Sequence, residues 1–238
     1  EVEYMPANEE IATHTLSDFY QKNDLANKTT ELTGDLSTIY DPKIPVVFIN
    51  TENDPQAMEG IEEVEIQTES RFNIREAEIV SKIIHDLLLL YDLEKQKELA
   101  KQIGVISPYR HQNNQIYSEL RQIGLEDSVL EHLRVDTVDR FQGDEREIII
   151  ISLTKSNESN IIGQLHRDWR RMNVSISRAK AKLILVGNKR TFVEKCPEQN
   201  EEEAKQLFKV VFRTIDKLKT KQKAVEFASD KTFKLGEK

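Results

Sequence analysis

Five short apolar runs constrain the fold of this chain more than any other feature. They are Val46-Val-Phe-Ile-Asn50, Ile103-Gly-Val-Ile-Ser107, Leu133-Arg-Val-Asp136, Ile148-Ile-Ile-Ile-Ser152 and Leu183-Ile-Leu-Val-Gly187. Several are continuously apolar rather than alternating, which is the pattern of strands covered on both faces of a parallel sheet. Helical spacing fills the gaps between them. Asn73 to Tyr91 carries Ile74, Ala77, Val80, Ile83, Ile84, Leu87, Leu88 and Tyr91 at that spacing; Pro108 opens a helix through about Leu120; Asp168 to Lys180 is a third. The order predicts an α/β fold, a mostly parallel, doubly wound sheet flanked by helices. A C-terminal helix, Glu201 to Leu218, puts Leu207, Phe208, Val211, Phe212 and Ile215 on one stripe suited to core packing.

Two stretches read as peripheral. Thr51 to Arg71 holds seven acidic residues and one basic one, with Pro55 and Gly60, and is expected to be an exposed loop or insertion. Lys217 to Lys238 is Lys-rich with scattered apolar residues and is expected to be a frayed or partner-dependent tail. The expected division is therefore one domain over residues 1–199, followed by a helix and basic tail over 200–238.

Composition excludes several classes. At 238 residues the chain is long enough for a core without covalent staples. Apolar residues make up 38% and charged residues 32%, and no stretch approaches the roughly 18 consecutive apolar residues of a membrane helix. The single cysteine, Cys196, offers neither an internal disulfide nor a zinc or iron–sulfur spacing. That points to a reducing, intracellular compartment, nuclear if the source is eukaryotic and cytoplasmic if it is prokaryotic. The first residue is not Met and the first residues carry no signal-type segment, so a piece of a longer protein is expected. None of the eight glycines is followed by Lys, and no two are spaced for a dinucleotide fingerprint. HExxH, GxSxG and EF-hand patterns are also missing.

The net charge of −8 hides a segregation. Residues 161–195 contain nine Lys/Arg against Asp168 and Glu194, a net +7, and the remaining chain is −15. Because fields are screened over about 8–10 Å, such a stretch could bind phosphate on an acidic protein. The plain alternative is a solvated basic helix.

Three segments are dense in chemistry. Gly104-Val-Ile-Ser-Pro-Tyr-Arg-His-Gln112 runs from a strand into a proline-started helix, so its loop falls at the carboxyl edge of the sheet, where α/β folds place ligands; otherwise it is an ordinary βα turn. Val135-Asp-Thr-Val-Asp-Arg-Phe-Gln-Gly-Asp-Glu-Arg-Glu147 packs Thr137, Asp139, Gln142, Gly143 and Glu145 between two strands, a polar density that needs partners. Asp168-Trp-Arg-Arg-Met-Asn-Val-Ser-Ile-Ser-Arg-Ala-Lys180 is expected to be a helix with Arg171, Ser175 and Arg178 on one face and Trp169, Met172, Ile176 and Ala179 beside it. Planar guanidinium donors on such a face suit a phosphate; the alternative is salt bridges to acidic neighbours.

In this order the three segments resemble motifs IV, V and VI of superfamily 1 helicases of the 5′-to-3′ branch, which includes the nonsense-mediated-decay RNA helicases. The phrase Gly163-Gln-Leu, Asp168-Trp-Arg-Arg and Asn173-Val-Ser-Ile-Ser-Arg-Ala-Lys180 is most similar to the nuclease-helicases of Okazaki-fragment processing. Ser70-Arg-Phe-Asn-Ile-Arg-Glu-Ala77 and the run Val46–Asn50 extend the resemblance over about Tyr4 to Thr191.

The resemblance implies the second of two RecA-like motor domains, with the P-loop and the magnesium-holding Asp-Glu in the first, so that ATP and magnesium would be shared cofactors. It implies that Arg178 reaches the γ-phosphate across the cleft and that Arg171 supports it. Glu145 would meet the ribose, with Gly143 and Gln142 beside it, and Tyr4 would lie against the base. Thr137, Pro108, Tyr109, Arg110 and Asn73 would face single-stranded DNA or RNA. The partners implied are that strand, the first RecA-like domain and an upstream nuclease, with no membrane. The chain departs from the family near its start: Glu3-Tyr4-Met5-Pro6 stands where the family reads Gln-Tyr-Arg-Met, so one nucleotide-site arginine is absent. A non-catalytic binding module derived from such a domain, or an RNA rather than DNA helicase, remain the alternatives. Glu203-Ala-Lys205 matches a nuclease ExK by spacing, but sits among other glutamates on an amphipathic helix and is read as chance.

Overall fold

All five apolar runs form strands. The computed structural model describes residues 18–32, 35–58, 60–64, 68–141, 143–197 and 201–233. Its strands are β1 (Val46–Asn50), β2 (Gly60–Val64), β3 (Thr68–Phe72), β4 (Ile103–Ser107), β5 (Arg134–Thr137), β6 (Arg146–Ser152), β7 (Ala179–Gly187) and β8 (Ala224–Ala228). The helices of eight residues or more are α1 (Ile74–Leu88), α2 (Leu93–Ala100), α3 (Arg110–Gln122), α4 (Trp169–Ile176) and α5 (Glu202–Thr220). Six strands form one sheet in the order β5-β4-β6-β7-β1-β8, every neighbouring pair parallel.

Both faces of this sheet are covered, which is why the runs of its inner strands are largely apolar, whereas the edge strand β5 alternates. Val47 and Ile49 of β1 pack with Val105, Ile150 and Ile184 under α1 and α3. Their neighbours Val46 and Phe48 point the other way, into a cluster with Ile106, Ile151, Leu185 and the Phe208, Phe212 and Ile215 stripe of α5. Each buried side chain of this kind contributes roughly 1.5–3 kcal/mol. This is the doubly wound α/β arrangement expected of a RecA-like domain.

Four elements differ from the sequence reading. Residues 217–233 are not a frayed tail: α5 continues to Thr220, and β8 adds a parallel edge strand to β1 with Val46 opposite Ala224. A buried ion pair anchors residues 229–233, since Arg75 Nε donates to Asp54 Oδ2 at 2.8 Å, Ser229 Oγ to the same oxygen at 2.9 Å, and Arg75 also bonds the Phe233 carbonyl. The acidic stretch after β1 contains an antiparallel hairpin, β2 with β3, rather than loop alone. The helix α2 has no counterpart in the sequence reading; Asp92 caps it by accepting from the Lys95 N–H at 3.0 Å.

The fourth difference bears on the site. The expected helix from Asp168 to Lys180 stops at Ile176, and Ala179 already belongs to β7. The polar Ala-Lys-Ala-Lys start of β7 hides its strand character, but Ala179 pairs with Arg146 and Lys182 with Ile148 of β6. Arg171 and Arg178 are therefore not on one helix face: the first lies on α4 and the second in the turn that leads into β7.

Candidate functional site

The chain crosses the sheet between β5 and β6 in eight residues, and this crossover divides the candidate residues into two groups. At its start Thr137 lies beside Ser107, its partner in the β4–β5 register, so Thr137 and Pro108 sit together at the carboxyl edge of the sheet. Pro108, Thr137, Asp139, Ser152, Leu153, Arg171 and Ser175 line one cleft. Its cavity volume is about 30 Å³, room for a couple of waters and far too little for a nucleotide, so any large ligand at this edge lies over the surface. Arg110 opens α3 at the same edge and is exposed.

At the far end of the crossover, Gly143 and Glu145 precede β6, and Arg178 precedes β7. The Arg146 N–H donates to the Arg178 carbonyl at 3.0 Å, which brings Glu145 and Arg178 to neighbouring strand starts. Glu145 meets Lys180 at 3.5 Å, both about half exposed. Gly143 has φ 85°, so glycine is favoured there by backbone conformation, and among the described residues no atom beyond its chain neighbours lies within 4 Å of where a Cβ would stand. The Arg178 Nε is buried and has no hydrogen-bond partner among the described residues.

Local packing explains why the crossover takes this path. A Cβ on Gly104 of β4 would lie 2.5 Å from Phe141 Cζ, so only glycine lets the fully buried Phe141 ring seat against the sheet. The Arg134 guanidinium lies 4.6 Å from that ring's centroid. Arg134 and Arg146 both bond Asp144. Burial acts to raise the Asp144 carboxyl, but hydrogen bonds and charge from the two arginines prevail and hold it below the usual carboxylate range.

Several expectations change. Asn73 is fully buried as the N-cap of α1, and Tyr109 is 8% exposed with its ring 6.1 Å from that of His166. Neither presents an exposed side chain with which to make the strand contact implied for it. Arg171 belongs to the carboxyl edge, where it pairs with Asp139 at 3.1 Å, rather than beside Arg178. Tyr4 and Gln142 lie outside the described residues.

Several cations of the +7 stretch are taken up by internal partners. Lys182 is fully buried and donates Nζ to the carbonyls of Asp41 and Ile44, and burial lowers its pKa to about 7. Arg167 pairs with Glu201 at 3.0 Å, and Lys189 lies near Asp216 and Glu226. Glu201, fully buried, also accepts the N–H groups of Ile162 and Gly163 at 2.8 Å each. Desolvation works against its charge, yet these bonds and Arg167 keep its carboxyl low. The Glu203/Lys205 pair is structural: Glu203 is exposed, and Lys205 is buried with Nζ donating to the Asn160 and Thr191 carbonyls at 2.5 and 2.6 Å. Among the described residues no group of three His, Cys, Asp or Glu is placed to hold a metal ion, and no helix is long and apolar enough to cross a membrane.

Residues 5–190 match the family model described as AAA domain. This chain belongs to the AAA domain family. The match takes in both edges described above. This AAA domain is 38% identical over 152 residues to the DNA replication ATP-dependent helicase/nuclease DNA2 of Bos taurus, covering 64% of this chain and 13% of that protein. The protein of the same name from Schizosaccharomyces pombe is 31% identical over 154 residues, 64% of this chain and 10% of that one. Regulator of nonsense transcripts 1 of Dictyostelium discoideum is 37% identical over 148 residues, 62% of this chain and 10% of that one. The matched segment thus spans 13% or less of these relatives. Both kinds of relative agree with the superfamily 1 resemblance carried by motifs IV to VI.

Sequence reasoning missed a buried polar network in this AAA domain. Glu76, Gln112, Ser152 and Thr154 join Asn73 beneath the carboxyl edge, all fully buried. The signal was present, since Asn73-Ile-Arg-Glu76 has the spacing of a capping box, and Glu76 N–H does donate to Asn73 Oδ1 at 3.1 Å.

Proposed function

We propose that this AAA domain is the second motor domain of an ATP-dependent 5′-to-3′ helicase of the DNA replication and repair type. On this reading the start of the β5–β6 crossover carries part of a single-strand track, through Thr137, Pro108 and Arg110. Its far end carries a nucleotide edge, through Gly143, Glu145 and Arg178. The observation that supports it most is the backbone bond from the Arg146 N–H to the Arg178 carbonyl, which puts Arg178 and Glu145 at neighbouring strand starts, with the open Gly143 two residues before Glu145. An arginine at that edge suits an anion supplied from outside, because guanidinium matches phosphate in its forked donor geometry.

Bound ATP would supply the phosphoanhydride bond whose cleavage drives such a motor. Arg178 would hold the terminal phosphate, Glu145, now 3.5 Å from Lys180, would take the ribose hydroxyls, and Gly143 would allow close approach. Magnesium would be held from the first domain, since Asp144 is engaged by Arg134 and Arg146. Regulator of nonsense transcripts 1 among the relatives favours, as a second reading, an RNA strand on the same edge. The first RecA-like domain is the partner this edge requires, and an upstream nuclease the one the nuclease-helicase relatives carry in their name.

The test uses the pure chain. It should bind a labelled single strand with a salt-dependent affinity, and hydrolyse ATP no faster than buffer until a first motor domain is added. Turnover by the chain alone, or no hydrolysis with the complementary domain present, would overturn the reading.

A further inference from the structure

Thr154 directly follows β6 in a left-handed conformation, φ 66°, which β-branched residues rarely adopt. Its own hydroxyl does not select that conformation, because the buried Oγ1 has no hydrogen-bond partner among the described residues. The start of α1 holds it instead. The Glu76 carboxylate accepts the Thr154 N–H at 2.8 Å, and Asn73 Nδ2 donates to the Thr154 carbonyl at 3.3 Å. Both backbone groups of the strained residue are thus fixed from one helix end.

The same carboxylate oxygen accepts Ser152 Oγ at 2.7 Å, and Ser152 Oγ in turn accepts Gln112 Nε2 at 3.1 Å. Gln112 also exchanges two bonds with the Asn73 backbone, accepting its N–H at 2.7 Å and donating to its carbonyl at 3.2 Å. A strained conformation persists where its surroundings over-determine it, and here the surroundings are these four side chains. Their place matters for the strand track. Gln112 lies in the first turn of α3, two residues after Arg110, and Ser152 and Leu153 line the cleft with Pro108, Thr137 and Arg171.

We propose that Glu76 is a positioning residue for the single-strand edge: by holding Thr154 left-handed it sets the path of residues 153–155 relative to the start of α3. This rests on the single-strand reading of that edge. Glu76 touches no ligand itself. Its effect passes through Thr154, so a residue that adopts positive φ unaided should make Glu76 dispensable.

The experiment compares the 238-residue chain with Glu76→Gln, Thr154→Gly and the double variant. The readouts are anisotropy of a fluorescein-labelled oligo-dT and amide exchange over residues 153–156. Glu76→Gln should weaken binding about tenfold, the order expected of a displaced contact set, and speed that exchange. Thr154→Gly alone should stay within about twofold of wild type, and the double variant within about threefold, because glycine populates positive φ without support. A merely structural role for Glu76 predicts the opposite, two losses that add. Wild-type affinity in Glu76→Gln, or a double variant as weak as Glu76→Gln, overturns the proposal. A wild-type chain that binds no oligonucleotide sinks the strand reading instead, and the exchange rates then still show whether Glu76 holds residue 154. If Glu76→Gln does not fold, Glu76→Asp, which keeps the charge but shortens the reach of the carboxylate to the Thr154 N–H, takes its place with the same rescue by Thr154→Gly.

Discussion

Arg171 on α4 holds Asp139 of the β5–β6 crossover at 3.1 Å, tying the helix of motif VI to the loop of motif V at the carboxyl edge of the sheet. Asp139 is 65% exposed and Arg171 34%, so the pair lies in water and contributes little to stability, on the order of 0–1 kcal/mol. Its consequence is electrostatic. Asp139 masks a guanidinium that lines the same cleft as Pro108 and Thr137.

Asp139→Asn should therefore strengthen single-strand binding by about two- to fivefold at low salt and steepen the salt dependence by about one ion, because Arg171, left with only its 4.0 Å contact to Asp168, adds one phosphate contact. Anisotropy titrations at three salt concentrations check it. Weaker binding in the variant would mean that Asp139 does something other than hold Arg171.

Arg178→Ala should lower strand-stimulated ATP hydrolysis roughly 10³-fold in a protein containing both motor domains, the order seen when an arginine that reaches a γ-phosphate is removed. Single-strand affinity of the isolated chain should not change, because Arg178 stands at the opposite end of the crossover from Thr137. Steady-state turnover and anisotropy separate the two effects. Hydrolysis at the wild-type rate would remove Arg178 from the nucleotide edge.

How much of this was legible in the sequence differs by residue. Strands β1, β4, β6 and the apolar half of β7 were readable because burial on both sheet faces leaves short continuous apolar runs, and the edge strand β5 because its apolar and polar residues alternate. β8 was not: Ala224-Val-Glu-Phe-Ala228 is a short edge strand, half-buried over most of its length and embedded in lysines, with the composition of a tail. Helical spacing continued past Ile176 into Arg178 and Ala179, and only the pairing of Ala179 with Arg146 ends the helix, a tertiary effect invisible to periodicity. Counting charge was equally blind to partners. Lys182, Arg167 and Lys189 read as a phosphate-facing surface, yet each is taken up by a carbonyl or carboxylate brought from more than 25 residues away.

Gly104→Ala should destabilise the domain by about 1–3 kcal/mol, the range for overpacking a filled core, since the new methyl would meet both Phe141 and Ile149 within 3 Å. The displaced Phe141 would carry Gly143 and Glu145 with it. Chemical unfolding gives the first number, and nucleotide binding by the reconstituted motor gives the second effect. A stability loss with unaltered nucleotide affinity would show that the crossover's far end is set independently of the Phe141 seat.

The clearest pH dependence belongs to His166. Its ring is buried among Phe192, Phe208 and Tyr109, with centroids 5.0, 6.2 and 6.1 Å away. Nδ1 lies 2.9 Å from the Ile162 carbonyl and so carries the proton of a neutral imidazole, leaving Nε2 buried without a partner among the described residues. Protonation would place a charge in that buried nest near Lys155; the Ile162 and Leu153 carbonyls and Glu201 offset this only in part, and burial accordingly lowers the pKa to about 4 from 6.5. Between those values the unfolded chain binds the proton and the folded chain does not, so stability is complete above about pH 6.5 and falls as the pH drops towards 4. At pH 5 the loss from this group is at most about 2 kcal/mol. His166→Phe removes it, while leaving the Ile162 carbonyl short of a donor at a cost of about 1 kcal/mol at every pH. Urea unfolding at pH 7 and pH 5 should therefore show the variant less stable than wild type at pH 7 and equal or more stable at pH 5. The carboxylates held low by their partners, Asp54, Asp86, Asp144 and Glu201, lose their contribution only as the pH falls through the carboxylate range and do so in both proteins. Parallel pH dependences in the two proteins would mean that His166 takes up its proton without opening the nest.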